Sequence, residues 1–204
     1  MSMWRGSQPL VLASKSAVRR SLLEAAGIMV DTISVEVDER AVERAAPAAQ
    51  AAPDDMARLL ARTKALAGSI AAGPGRLVLG ADQTLALSGV AFHKAVDRIG
   101  ARLQLARLAG RTHALHSAVA VVRDEEVLFE TVSTARLTMR PLSDVQIEAY
   151  LDAAGPAVLS SVGCYQLEVL GVHLFEAIEG DHFTILGLPL LPLLNFLRTE
   201  ALVP

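Results

Sequence analysis

The order of apolar runs and helical stretches predicts an α/β or α+β fold on a mixed sheet, and three observations carry that prediction. Residues 10–13 and 76–80 are short, wholly or mostly apolar runs that read as buried strands. Residues 112–122 and 127–139 flank the polar stretch 123–126 and read as two long strands joined by a tight connection. Stretches with helical periodicity fall between the strands, so the chain uses both crossovers and hairpins, and the sheet contains parallel and antiparallel pairs.

The elements follow in order. Residues 1–8 form a loose leader, and residues 9–200 a single domain. After the strand 10–13 and the segment Ser14-Lys15-Ser16, a helix turns Leu22 and Leu23 inward and stops at Gly27. Residues 28–37 read as a second strand through the alternation of Ile33, Val35 and Val37. The alanine-rich residues 39–53 read as a partly helical, mobile connection. Asp54 is placed to cap a helix with Met56, Leu59, Leu60, Thr63, Leu66, Ala67 and Ile70 on its inner stripe. The strand 76–80 runs into Ala81-Asp82-Gln83, and residues 85–92 read as a hairpin about Ser88-Gly89. Asp97 starts a helix through Leu108, and Gly110 closes it. Ser143 and Gln146 make a capping box for a helix reaching Leu151. Residues 172–178 read as a strand, and Gly187-Leu-Pro189 opens a final apolar helix that suits either the core or an interface.

Composition narrows the function classes. The chain has 204 residues, 52% hydrophobic and 20% charged, with a net charge of −3, which excludes disorder. A sequence pI of about 5.9 argues against a general nucleic-acid binder. The mean hydropathy of +0.39 is high, yet the longest apolar stretch, residues 186–194, contains Pro189 and Pro192 and falls far short of a membrane span of roughly 20 residues. No signal-peptide core precedes it, and one cysteine, Cys164, excludes an internal disulfide framework; a reducing cytoplasm is the expected location. Among 19 basic residues the only lysines are Lys15, Lys64 and Lys94. Codon bias toward arginine explains this, and so does a need for compact ammonium groups at those places.

The chemistry-bearing residues fall into a few groups. Ser14-Lys15-Ser16 before a helix that carries Arg19 and Arg20 suits an anion, through free N–H groups, hydroxyls and a guanidinium; it equally suits an N-cap serine with solvated arginines. Asp82 after an apolar strand suits either a turn cap or a carboxylate that binds Mg²⁺ or orients water. Glu36, Asp38 and Glu39 form an acidic group that would make an oxygen-ligand site with Asp82 if the two strand ends meet. His93, His113, His116, His173 and His182 lack zinc spacing and read as structural, with His113 and His116 on opposite faces of one strand. Local cations beside carboxylates in a net-acidic chain suit a polyanionic, metal-bound ligand such as a nucleotide.

Read in order, these segments resemble the Maf family of nucleoside triphosphate pyrophosphatases. Leu12-Ala-Ser14-Lys-Ser16 with Arg19, Leu22-Leu23 and Gly27 is similar to the family's LASxSPRRxxLL…G signature. Val37-Asp-Glu39-Arg, Ala61-Arg-Thr-Lys64-Ala, Gly80-Ala-Asp82, His93-Lys94, Gly110-Arg-Thr-His113, Gly163-Cys-Tyr165 and Gly180-Asp181 with Gly187-Leu-Pro-Leu190 follow in the family's order. The chain departs from the pattern at Ala17-Val18, where the family has Pro-Arg, and at Ala95, where it has proline. Gln83, Glu168 and Leu174-Phe-Glu176 look like the 7-methyl-GTP subgroup rather than the dTTP/UTP subgroup, although the former carries tryptophan where this chain has Val18.

The resemblance implies a mixed, strongly twisted sheet flanked by helices, with two lobes around a cleft, as in inosine triphosphate pyrophosphatases. It implies hydrolysis of a nucleoside triphosphate to the monophosphate and diphosphate with a divalent cation, Mg²⁺ or Mn²⁺, and, for some members, a homodimer. By position, Asp82 is the base or metal carboxylate and Glu39 its acidic partner. Lys64 and Lys94 join them in catalysis, and Ser14, Ser16 and Arg19 bind the phosphate chain. Val18, Gln83 and Glu168 join the substrate-binding set: Gln83 serves the base or the ribose, Val18 enlarges the base pocket, relaxes its specificity or does nothing, and a carboxylate at Glu168 suits guanine, which offers N1–H and N2–H₂ where uracil and thymine offer one N–H. The expected partner is a nucleoside triphosphate, with neither nucleic acid nor membrane. A dTTP/UTP pyrophosphatase and a non-hydrolysing regulator of division are the rival readings; a pure binder has little use for Asp82 and Glu39 beside phosphate.

Overall fold

The computed structural model describes residues 2–47 and 52–204. One seven-stranded mixed sheet runs through it, in the order β2-β1-β3-β5-β6-β7, with β4 paired to β3. β1 (Leu10–Ala13) lies parallel to β2 (Val30–Ile33) and β3 (Val78–Leu87), and the remaining pairs are antiparallel. The other strands are β4 (Val90–Phe92), β5 (Thr112–Arg123), β6 (Glu126–Met139) and β7 (Phe175–Glu179). The helices are α1 (Ala17–Ala25), α2 (Glu39–Ala45), α3 (Pro53–Ala72), α4 (Arg98–Leu108), α5 (Asp144–Ala154), α6 (His182–Ile185) and α7 (Leu190–Thr199). Among the described residues no helix is long and apolar enough to cross a membrane.

Two large apolar cores lie along the sheet, beside three small clusters of buried residues. One gathers Leu10, Leu12, Leu23, Leu79, Val119, Val121, Leu188, Leu193 and Leu197 around β1, α1 and α7. The other gathers Leu85, Phe92, Leu105, Leu108, Leu137, Ile147, Leu151 and Tyr165 around α4 and α5. β3 passes from the first core at Leu79 and Ala81 to the second at Leu85 and Leu87, with Asp82, Gln83 and Thr84 in between. Thus α7 is a core helix, buried through Leu190, Leu193 and Leu197.

α3 covers the opposite face of the sheet with small residues. Its buried positions are Met56, Ala57, Leu60, Ala61, Ala65, Gly68 and Ser69, whereas Ile70, expected on the inner stripe, is 68% exposed. The backbones are too close for large side chains: a Cβ on Gly80 would stand 2.2 Å from Ala61 O, and one on Gly68 would stand 2.8 Å from Val78 Cγ1. Hydropathy ranks large aliphatics first, but the close approach selects alanine and glycine. The cap also differs. Pro53 occupies the first turn after Ala52, and Asp54 and Asp55 lie within that turn, where a carboxylate favours the positive end of the helix dipole.

Other boundaries shift. β2 ends at Ile33 rather than Val37. β3 does not break at Asp82 but continues to Leu87, because β5 pairs with it from Val78 to Ala86 without interruption. Residues 170–174 form a 3₁₀ turn, and β7 begins only at Phe175. The leader is tied down rather than loose over its described residues: Met3 N donates to Gly27 O and Arg5 N to Leu202 O, both at 2.8 Å, and Trp4 packs on the first core. Met1 of that leader, and residues 48–51 of the connection expected over 39–53, lie outside the described residues; residues 39–45 of that connection form α2.

Candidate active site

A gap in strand pairing opens the site. β1 pairs with β3 only as far as Ala13 opposite Gly80, and β4 joins β3 only from Leu85 onward. Between these points the edge of β3 is uncovered, and a cleft of about 1420 Å³ opens beside it. Ligands in open α/β sheets bind where neighbouring strands part in this way. Segment 13–19 forms one wall of the cleft, α2 and α3 a second, and residues 160–168 a third. All three lysines, Lys15, Lys64 and Lys94, line it.

Asp82 sits mid-strand with its side chain toward α3. Lys64, on α3, places Nζ 2.5 Å from Asp82 Oδ1 and 2.6 Å from Glu39 Oε1. One ammonium thus draws together carboxylates from β3 and α2. Asp82 is 6% exposed, and this burial pushes its carboxyl above the ordinary value; Lys64 and then Arg19 pull it back, and Glu39 adds to the push.

Arg19 is fixed by backbone carbonyls. Its Nε donates to Gly187 O at 2.8 Å, and its Nη1 donates to Ala81 O at 3.0 Å and Ser14 Oγ at 3.4 Å. Burial lowers its pKa from the ordinary value, and Asp82 and Glu39 oppose that shift; a guanidinium stays charged regardless. Ser16 caps α1, its Oγ accepting from Arg19 N at 3.3 Å, while Ser14 Oγ accepts from Ser16 N at 3.2 Å. The N-cap reading of this segment holds, and the cap builds the turn that carries Arg19.

The remaining expected residues line the cleft. Lys94 and Glu168 are exposed on its rim, and Val18 is half-buried on its wall. Gln83 points to the opposite face of β3 from Asp82. Its Nε2 donates to Ser117 Oγ at 2.9 Å, Thr184 O at 3.1 Å and Ile185 O at 3.0 Å, so its amide nitrogen serves the protein. Asp38 caps α2 through Ala41 N, and Glu36 lines the cleft.

Sequence reasoning missed several participants. His93 lines the cleft 3.7 Å from Glu43 of α2, so it is not a buried structural histidine. The Gly187 carbonyl, the Ser117 hydroxyl and the Thr84 hydroxyl, which donates to Pro53 O at 2.7 Å, carry no local signal because their roles arise from distant pairing.

The donor set fits a divalent cation only together with a ligand. No group of three His, Cys, Asp or Glu among the described residues forms a metal centre of its own. Asp82 and Glu39, converging on one point, would complete a Mg²⁺ or Mn²⁺ shell with phosphate oxygens and water, the usual arrangement for Mg²⁺ at phosphates.

The family model described as Maf-like protein matches residues 9–200. A nucleoside triphosphate pyrophosphatase of Rhodopseudomonas palustris (strain ATCC BAA-98 / CGA009) is 57% identical over 203 residues, covering 100% of this chain and 99% of that protein. A 7-methyl-GTP pyrophosphatase of Brucella abortus biovar 1 (strain 9-941) is 50% identical over 194 residues, covering 95% of this chain and 97% of that one. Among solved structures, a HAM1 protein from Coxiella burnetii aligns with 64% of this chain and 72% of its own at 15% identity and a TM-score of 0.43, too loose a likeness to bear on the site.

Proposed function

This chain belongs to the Maf family and is a nucleoside triphosphate pyrophosphatase, a hydrolase of acid anhydrides, and we propose that its substrate is a guanine-type triphosphate such as 7-methyl-GTP. The observation that carries the hydrolytic reading is the Asp82–Lys64–Glu39 group, set beside Arg19 on the uncovered edge of β3. A triphosphate carries about four negative charges, so its hydrolysis calls above all for neutralisation and alignment. Arg19, Lys64 and Lys94 supply positive charge, and the Ser14 and Ser16 segment adds hydrogen-bond donors. Asp82 orients the attacking water and accepts its proton, and the water displaces diphosphate from the α-phosphorus. A divalent cation held by Asp82, Glu39 and phosphate oxygens would supply further neutralisation and polarise the phosphoryl group.

The base preference rests on acceptors. With its amide nitrogen committed to the protein, Gln83 offers only Oε1 to a ligand, and Glu168 offers a carboxylate. Both therefore favour a base edge rich in N–H donors, as guanine has and uracil lacks. The 50% identical relative named as a 7-methyl-GTP pyrophosphatase supports the same reading.

Diphosphate release from 7-methyl-GTP, GTP, dTTP, UTP and CTP with Mg²⁺ or Mn²⁺ tests it. Turnover of 7-methyl-GTP or GTP well above dTTP and UTP is expected. A pyrimidine preference would keep the reaction and overturn the base assignment. No release from any triphosphate would leave a nucleotide-binding regulator.

A further inference from the structure

The contacts that orient Arg19 continue past Gly187 into the interior of the sheet. Gln83 and Ser117 are register partners on β3 and β5, at the level where each strand passes between the two cores. Both side chains meet α6, a single turn whose last carbonyls lack intrahelical partners. Ser117 Oγ donates to Thr184 O at 2.7 Å, and Gln83 Nε2 donates to Thr184 O, Ile185 O and Ser117 Oγ. The Thr184 carbonyl also accepts from Gly187 N at 3.1 Å, and Gly187 O in turn accepts from Arg19 Nε at 2.8 Å. At the other end of the turn, Asp181 accepts from Thr184 N at 2.9 Å and from the Thr184 hydroxyl.

Gly187 makes the relay directional. Its φ of +88° is a conformation that favours glycine, and a Cβ there would stand 3.2 Å from Arg19 Nη2. Nε and Nη1 are held by protein oxygens, no hydrogen bond engages Nη2 among the described residues, and Arg19 lines the cleft.

We propose that Ser117 is a positioning residue for phosphate binding: with Gln83 it clamps α6 so that the Gly187 carbonyl holds Arg19 with one edge of its guanidinium turned to the cleft. Ser117 is 0% exposed and does not line the cleft, so it acts through Thr184 and Gly187 and touches no substrate. Arg19 binds phosphate in ground and transition states alike, so a loosened Arg19 weakens binding more than turnover. The inference rests on the phosphate-binding role given to Arg19 above.

The test measures Kd for inorganic tripolyphosphate with Mg²⁺ by calorimetry, on the full chain and on Ser117→Ala, Arg19→Lys and the double variant. KM and kcat on the best triphosphate of the panel are read alongside. Ser117→Ala keeps Thr184 O bonded by Gln83 and Gly187, so its Tm stays near the parent value. It removes two hydrogen bonds, one donated to Thr184 O and one accepted from Gln83 Nε2, and is expected to weaken tripolyphosphate binding about fivefold and to raise KM while kcat holds within about twofold. Arg19→Lys is expected to lose at least about tenfold, and the double variant no more than Arg19→Lys alone, because two residues in one relay do not add. The same factor lost on adding Ser117→Ala to Arg19→Lys would overturn the clamp, as would unchanged binding in Ser117→Ala. Unchanged binding in Arg19→Lys would instead overturn the phosphate role of Arg19, and the clamp with it. If Ser117→Ala fails to fold, Ser117→Cys, of similar volume and weaker donor strength, carries the same comparison.

Discussion

Lys64 and Asp82 meet through a 2.5 Å contact between a helix and the strand beneath it, 18 residues apart in the chain. The approach is possible because α3 and β3 face each other through Ala61, Ala65 and Gly80. The same ammonium reaches Glu39 on α2, a helix with no buried residue of its own. The site is therefore held together by its charges as well as lined by them.

Removing either partner of that contact should abolish most turnover. Asp82→Asn keeps the shape and removes the proton acceptor; Lys64→Met removes the charge that joins the two carboxylates. Each is expected to lower kcat/KM by about 10²-fold or more. Diphosphate release by purified, folded variants checks this, and normal hydrolysis by Asp82→Asn would reject the assigned base.

Asp82 should make the metal-free protein less stable as pH rises. Its folded pKa lies above the unfolded value, so the native state binds the extra proton, and that stabilisation is lost as pH rises through the folded pKa. Asp82→Asn lacks this dependence. In chelated buffer its Tm should gain on the parent as pH increases from the carboxylate range toward neutrality, and a constant difference would contradict the raised pKa.

His113 should dominate a different window. It is 2% exposed, its Nε2 lies 2.7 Å from Tyr165 Oη, and its Nδ1 has no partner among the described residues; burial lowers its pKa to about 4. The unfolded chain takes up the proton first, so stability falls as pH drops from about 6.5 to about 4, by about 3 kcal/mol in all. Denaturant unfolding across that range should be flatter in His113→Gln than in the parent.

Gly80→Ala should damage stability and activity together. Its methyl would enter the space of Ala61 O and Ala65 N, both backbone atoms that cannot swing aside. Overpacking of this kind costs about 3 kcal/mol. It should also lift α3, with Lys64, away from the strand that carries Asp82. A lowered Tm with unchanged kcat would show that the spacing does not matter to the chemistry.

The sequence was legible where a local rule decides. The capping box at Ser143 and Gln146, the C-terminal glycine after α1 and the turn at Ser88-Gly89 depend on a few adjacent residues, and they form as expected. It was less legible where packing distance decides. Met56 and Leu60 of the expected α3 stripe are buried, but the rest of the inner face is taken by Ala57, Ala61, Ala65, Gly68 and Ser69, and β3 runs on through Asp82, because nothing within residues 76–83 announces that β5 will pair along the whole stretch.

By itself the sequence determined the mixed sheet, the helical connections and the list of charged residues worth watching, since periodicity, caps and order along the chain are local properties. Only the tertiary structure decided that β1 leaves β3 after Gly80 while β4 joins it only from Leu85, that one lysine bridges two carboxylates from different elements, and that a serine on β5 reaches Arg19 through a single turn of helix. Those facts are set by register and by interlayer spacing, which depend on the summed packing of residues far apart in sequence.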